Sequence, residues 1–322
     1  MRYSIKMLVK KVLNKIRGNT ISQSLRRYKK RFLKYAFTDC KCEYPQQFEA
    51  SIIRLYHTIE KGLSYENYRP GFGKDNVDKL IASLEQYASR GFNISEFFYE
   101  TALSCLNAYV QKNREHGFID DNLNQRIESL QGKANDKGGV IVISRPIDTD
   151  KMNFEQLLKT RHSIRHFSDK AVDVKLINEA VELAQNTPSA CNRQGWRTRI
   201  IADKTVVEKV LANQNGNRGF GQEIDKLLLV TADLRAQQKS REYFQAFIDG
   251  GMYAENVINA LHFKGIASVP LSASLTDEQE RNVRKILGID DAEVLILFIG
   301  VGNYPEGSFV SVRSERKGVR KE

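Results

Sequence analysis

The chain has 322 residues, 41% of them hydrophobic and 28% charged, with a formal net charge of +11. Such a composition is globular and is enough for one large domain or two modest ones. It excludes a bilayer-spanning bundle, because no apolar run approaches the roughly 20 residues a spanning helix needs. It also excludes a disulfide scaffold, because four cysteines are too few for this length.

The basicity is local. Thirteen of the 50 Lys+Arg fall within residues 1–41, where Asp39 is the only acid, so the remainder is close to neutral. Ile5, Leu8, Val9, Val12, Leu13 and Ile16 make one apolar stripe at helical spacing, with Lys6, Lys10, Lys11 and Lys15 around it. Such a segment can lie on an anionic membrane surface, each Lys or Arg adding about 1 kcal/mol near the lipid, or it can pack on the protein's own body. Nucleic acid is not the expected partner, since no basic stripe interleaved with aromatics continues into the folded part. The lysines also break any signal-peptide core. The expected location is cytoplasmic, with peripheral contact at the inner membrane face as the option residues 1–41 leave open. Cys40-x-Cys42 reads as two reduced thiols in a loop rather than a metal or redox pair.

Residues 42–131 form a helical region. Three periodic stretches, "FEASIIRLYHTIEKGL", "NVDKLIASLEQYASRGF" and "ISEFFYETALSCLNAYVQKNREHGF", run to Gly62, Gly91 and Gly117. Each glycine is placed to end a helix. "YRPGFG" at 68–73 is a turn. Residues 132–150 read as a linker, "GKANDKGG", followed by a short strand at 140–144. From 151 helices and strands alternate. Helices are expected at 154–161, 174–186, 205–213, 240–264 and 277–287, the last opened by a capping box of Thr276 and Gln279. The stretch "DGGMYAENVINALHF", beginning at 249, is expected to be a buried helix. Strands are expected at 198–202, 227–232, 268–271 and 294–301. The fold class is α+β, a small mixed sheet flanked by helices and preceded by an all-α region.

No Walker loop, nucleophile elbow or metal-spaced His/Cys/Asp cluster occurs, and "GNRGFG" has the wrong spacing for a dinucleotide fingerprint. Four segments remain. "RHSIRHF" (161–167) crowds bases around a serine, a composition suited to an anion such as phosphate, or to a plain basic helix end. "TPSACNRQGW" (187–196) offers Ser189, Asn192 and Gln194 as short hydrogen-bonding groups beside Trp196, suited to the polar edge of a flat heterocycle or to a capped turn with a core Trp. A helix runs from Asp249 to Gly265 and leads to Pro270. "RSERK" (313–317) is a second basic cluster.

Taken in order, R-H-S-x-R-x-F followed some twenty residues later by P-S-A-C-N-x-Q-x-W resembles the nitroreductase family of FMN oxidoreductases. The resemblance covers about residues 152–322, making 151–322 the expected FMN domain. It implies that Arg161, His162, Ser163 and Arg165 hold the FMN phosphate, joined by Arg316 and Lys317. It implies that Pro188, Ser189, Ala190, Asn192 and Gln194 reach the flavin from the second subunit of a homodimer. Asn217 would face the ring, Pro270, Leu271 and Ser272 would run along it, and Gly300 and Gly302 would close the last core strand. The implied activity is reduction of a small-molecule substrate by ping-pong hydride transfer, NADH or NADPH being the reductant, with no catalytic side chain required. An FMN phosphate carries nearly two charges, and several Arg or Lys donors offset its desolvation.

The chain departs from that pattern in two places. Only "LRAQQKSREYFQ" stands where many members insert a helical lid, so residues 57–73 of the helical region are expected to supply the cover. Ser272 stands where many members carry an acid, which puts the usual nitroaromatic activity in doubt. "HTIEKGLS…RPGFG" further resembles extensions of nitroreductase-like proteins of surface-polysaccharide clusters, implying a glycan or lipid-linked substrate. The alternative is a non-catalytic accessory protein of a membrane-associated assembly.

Overall fold

The computed structural model describes residues 22, 25–26, 42–144, 152–236 and 242–311. The basic stripe of residues 1–16, Cys40, Arg316 and Lys317 lie outside the described residues. Among the described residues from 42 onward, four helices come first: α1 (Pro45–Leu63), α2 (Lys74–Ser89), α3 (Phe97–Glu115) and α4 (Asp121–Glu128). Their inward faces form one core around Phe48, Ile52, Ile59, Leu80, Leu84, Tyr99 and Leu106.

Gly91 and Gly117 take left-handed backbone just past α2 and α3, as expected of helix-ending glycines. Gly62 does not. It lies inside α1, whose C-cap is Ser64. Its lack of a side chain answers a packing need, since a Cβ there would stand 2.0 Å from the ring of Phe72. Phe72 cannot retreat easily, being wedged edge-on between Tyr68 and Tyr109 at centroid distances of 5.6 and 5.2 Å.

The stretch 132–139 lies against α3. Asn135 Nδ2 donates to Thr101 Oγ1 at 3.0 Å, and Gly138 sits so close that a Cβ would meet the Thr101 carbonyl at 2.3 Å. Strand β1 (Val140–Ser144) follows.

The second part contains α5 (Phe154–Thr160), α6 (Val174–Ala184), β2 (Trp196–Ile201), α7 (Lys204–Leu211), β3 (Lys226–Asp233), α8 (Gln245–Phe263), β4 (Ile266–Ser272), α9 (Asp277–Leu287), β5 (Glu293–Asn303) and β6 (Gly307–Ser311). The capping box of Thr276 and Gln279 opens α9, with both reciprocal bonds made. The main sheet runs β2-β3-β5-β4. Every ladder among the described residues is antiparallel, so the sheet is not the mixed one the sequence suggested. β3 is buried along its whole length because apolar clusters cover both faces. Helix α8 corrects a second expectation. Tyr253, Val257 and Leu261 are buried, but its first half exposes Phe247, Ile248 and Met252. Trp196 is a core residue, stacked on Tyr253 at 4.8 Å, with its indole N–H donated to Gln185.

β6 pairs with β1, not with the main sheet, so the end of the second part is sewn to the first. Lys112 of α3 secures the seam. Its Nζ donates to the Leu63 carbonyl at 3.0 Å and lies 4.1 Å from the Phe309 ring centroid and 5.2 Å from that of Tyr68.

Gly62→Ala tests the packing argument. Alanine has the better helix propensity, yet overpacking against Phe72 should cost about 1–3 kcal/mol. Gly73→Ala, at φ +66 with open space around it, should cost only about 1 kcal/mol. Urea unfolding of the two variants checks the order.

Candidate anion-binding site

The segment 161–168 has no regular secondary structure, yet two buried side chains pin it. Ile164 is buried in the sheet core, and its N–H donates to the Ser268 carbonyl of β4 at 2.9 Å. Phe167 packs over Gly302 of β5, where a Cβ would come within 2.5 Å of its ring, and the Ser168 N–H donates to Asn303. With these anchors sunk, Arg161, His162, Ser163 and Arg165 line a cavity of about 230 Å³. That is less than the roughly 300–1,000 Å³ of a whole small-molecule site. It suits one charged end of a larger ligand.

The opposite wall comes from Ile53, Tyr56, His57 and Glu60 of α1, and the rim from Val310 and Ser311. His57 and Glu60 fall within the 57–73 stretch expected to supply the cover, whereas Ile53 and Tyr56 were not singled out by sequence reasoning. The cover is firmly seated. Lys61 Nζ donates to the Gly216 carbonyl at 2.8 Å, and the Tyr65 hydroxyl donates to that of Arg218, also at 2.8 Å. His166 bridges the two parts, with Nε2 3.1 Å from Glu66 and Nδ1 2.7 Å from Glu223.

The field in the cavity is positive. Burial, with Arg165 and Arg218 nearby, pushes the Lys61 ammonium down to about 8. Burial also lowers the Arg165 guanidinium, against the pull of Tyr65 and Glu60. Glu60 is the acid in the wall. Its carboxyl accepts the Gly139 N–H at 3.2 Å and lies 3.8 Å from His57 Nδ1, and burial pushes it up.

Behind Arg161 runs a chain of neutral hydrogen bonds. The Thr160 hydroxyl donates to the Gln156 carbonyl, which leaves its oxygen to accept from His262 Nε2–H at 2.9 Å. His262 Nδ1 is therefore an acceptor, and the Tyr304 hydroxyl donates to it at 2.8 Å. Burial, then Arg161 and His162, holds the imidazole down to about 4. Burial also pushes the Tyr304 phenol up. Both rings stay neutral, so they add no charge behind Arg161.

The other expected site residues do not line this cavity. The 188–194 loop is largely exposed. Cys191, Asn192 and Gln194 hold φ of 52°, 52° and 47°, a strained conformation for side-chain-bearing residues. Asp249 of α8 pins the loop by accepting the Ala190 N–H, Ser189 Oγ accepts the Gln194 N–H, and Asn192 Oδ1 accepts from Gln194 Nε2. Asn217 spends its amide N–H groups inside its own loop, on the carbonyls of Leu211 and Gln214. Its loop lines an open cleft of about 940 Å³. Pro270 is half-buried, Leu271 is buried, and Ser272 is exposed with its carbonyl held by Gln214. Among the described residues no cluster of His, Cys, Asp and Glu could hold a metal ion, and no helix is long and apolar enough to cross a membrane.

A family model described as "Nitroreductase family" matches residues 158–216 and 206–303. A provisionally named NADH dehydrogenase/NAD(P)H nitroreductase of Archaeoglobus fulgidus is 27% identical over 154 residues, covering 47% of this chain and 84% of its own. A protein of the same name from Methanothermobacter thermautotrophicus is 22% identical over 155 residues, covering 48% of this chain and 78% of its own. Among solved structures, one of a provisionally named nitroreductase from Desulfovibrio desulfuricans in complex with FMN aligns with a TM-score of 0.42 at 20% identity, covering 53% of this chain and 94% of that one.

The His262 chain makes a pH prediction. The unfolded imidazole binds a proton near 6.5 and the folded one only near 4. Stability from this group is therefore full above 6.5 and is lost as pH falls towards 4, by a few kcal/mol. His262→Gln should flatten that arm in denaturation midpoints taken from pH 7 to pH 4. An unchanged slope would place the acid sensitivity elsewhere.

Proposed function

We propose that residues 158–303, which match the nitroreductase family model, form a domain of that family, and that the protein is an FMN-dependent NAD(P)H oxidoreductase acting as a homodimer. The observation that carries the reading is the set of donors on the pinned 161–165 segment, whose charge and cavity fit a phosphate end. Arg161, His162, Ser163 and Arg165 would hold the phosphate. Arg316 and Lys317 follow the rim residue Ser311 closely in sequence and would add to them. FMN, when bound, supplies two-electron transfer between NAD(P)H and a small-molecule acceptor, the two taking turns at one site in a ping-pong scheme.

The chain's own residues bind, orient and dry that site. Ile164 and Phe167 fix the donors in place. Ile53 and Tyr56 of α1 exclude water from the phosphate end, which strengthens each charged contact there. The bonds of Lys61 and Tyr65 to the 216–218 loop support residues 57–73 as the replacement for the short lid. Asn217, Pro270, Leu271 and Ser272 would lie along the ring.

Two features support the dimer. Phe247, Ile248 and Met252 leave an apolar stripe exposed on α8, and Phe154 is 73% exposed on α5. The strained 188–194 loop, pinned by Asp249 from that same helix, is the segment that would present Pro188, Ser189, Ala190, Asn192 and Gln194 to the neighbouring flavin. A surface-polysaccharide substrate rests on the sequence resemblance of residues 57–73 alone, and membrane contact on the basic amphipathic pattern of residues 1–41.

Purified protein should show flavin absorbance that bleaches on anaerobic addition of NADPH or NADH. Arg165→Ala should weaken FMN about 10- to 100-fold, the worth of one hydrogen bond to a charged group. Protein that takes up no flavin even when soaked in FMN would overturn the reading. In light scattering the protein should have the mass of two chains. Ile248→Asp should shift it towards one and release flavin with it.

A further inference from the structure

Glu60 is out of place in a phosphate cradle. It is 2% exposed and lines the same cavity as Arg161, His162, Ser163 and Arg165. A carboxylate in that wall suits the empty cavity, where it balances the surrounding cations. It repels a dianion that enters. The repulsion can be relieved by movement or by protonation. Movement is hindered, because α1 is fixed on both sides of Glu60: the neighbouring Lys61 is bonded to Gly216, and the Glu60 carboxyl itself accepts the Gly139 N–H. A protonated carboxyl, by contrast, becomes a donor that can face a phosphate oxygen.

On the reading that this cavity receives the FMN phosphate, we propose that Glu60 takes up one proton from solvent as the phosphate enters. The balance is simple. One dianion and one proton go in, and the cavity's net charge changes by one unit instead of two. Among the described residues the titratable groups around Glu60, besides Tyr56 in the same wall, are these. His57 is on α1, Arg161, His162 and Arg165 are on the opposite segment, and Cys105 of α3 lies behind in the core. The Cys105 thiol is itself pushed well up by burial, so it keeps its proton at neutral pH and has no place for another. Lys61, whose ammonium is held down to about 8, and the imidazoles of His57 and His162 are the other groups able to take up a proton when an anion binds, and the experiment separates them from Glu60.

The test is calorimetric titration of the full-length, flavin-stripped protein with FMN at pH 8, in two buffers of different ionisation enthalpy. At that pH a phosphate monoester, with its second pKa near about 6, is already a dianion, so any proton comes to the protein. Wild type should take up close to one proton per FMN, and its affinity should fall about tenfold per pH unit above neutrality. Glu60→Gln should still bind FMN, with the uptake and the pH dependence gone. No uptake by wild type would overturn the proposal. So would uptake unchanged in Glu60→Gln, which would assign it to Lys61 or the histidines. A measurement on wild type alone guards against a misfolded variant: an infrared difference spectrum should gain a protonated-carboxyl band on loading, and its absence counts against Glu60. If neither protein bound FMN, the cofactor reading would fall by itself. Sulfate, a dianion throughout this range, would then replace FMN in thermal-shift titrations. Protection that weakens with rising pH in wild type but not in Glu60→Gln would uphold the proposal, and identical pH profiles would overturn it.

Discussion

Everything at the candidate site depends on two apolar side chains sinking into the sheet from a segment that is otherwise all charge. Ile164 and Phe167 are buried beside β4 and β5. They turn an irregular stretch into a rigid shelf. Arg161, His162, Ser163 and Arg165 then have one direction left to face. Repulsion among three bases within five residues would scatter them on a free loop. Burying two large apolar side chains, each worth about 1.5–3 kcal/mol, holds them together. Gly302 is part of the same device, since Phe167 occupies the space a side chain there would need.

The shelf is only half of a cavity. The other half belongs to the helical region, and the match is chemical as well as steric. α1 brings an apolar wall, an acid and a histidine to the cations, and Lys61 and Tyr65 bond the 216–218 loop beside them. A site shared between two cores ties its geometry to how they dock. Lys112 between Phe309 and Tyr68, and His166 between Glu66 and Glu223, hold that docking from two other directions.

Much of this was legible in the sequence, and the parts that were not share a cause. Helix α9 and strand β1 have the limits their capping and composition imply, because their signals are local. "RHSIRHF" suited an anion or a plain basic helix end, and its charge alone could not choose between them. Gly62 misled because a glycine near a helix end looks the same whether it closes the helix or makes room for Phe72. The exposure of Phe247, Ile248 and Met252 was hidden for a similar reason, since an apolar stripe does not say what covers it. His262 and Glu60 gave no signal. Their roles come from partners 42 to 102 residues away for His262 and 79 away for Glu60. The antiparallel ladders were likewise beyond reach, because alternating helices and strands permit either direction.

The pairing of β6 with β1 sets an order of events in synthesis. β1 is made as residues 140–144, and its partner strand only as residues 307–311. In the interval the ribosome produces the whole of the main sheet, at roughly 5–20 residues per second. The helical core and the sheet core can each form from what has already emerged, while β1 waits with an unpaired edge. Val310 and Ser311 are the last of the cavity's wall residues to leave the ribosome. The cavity therefore closes after its other walls exist, and a newly made chain cannot enclose a ligand there until β6 has been added.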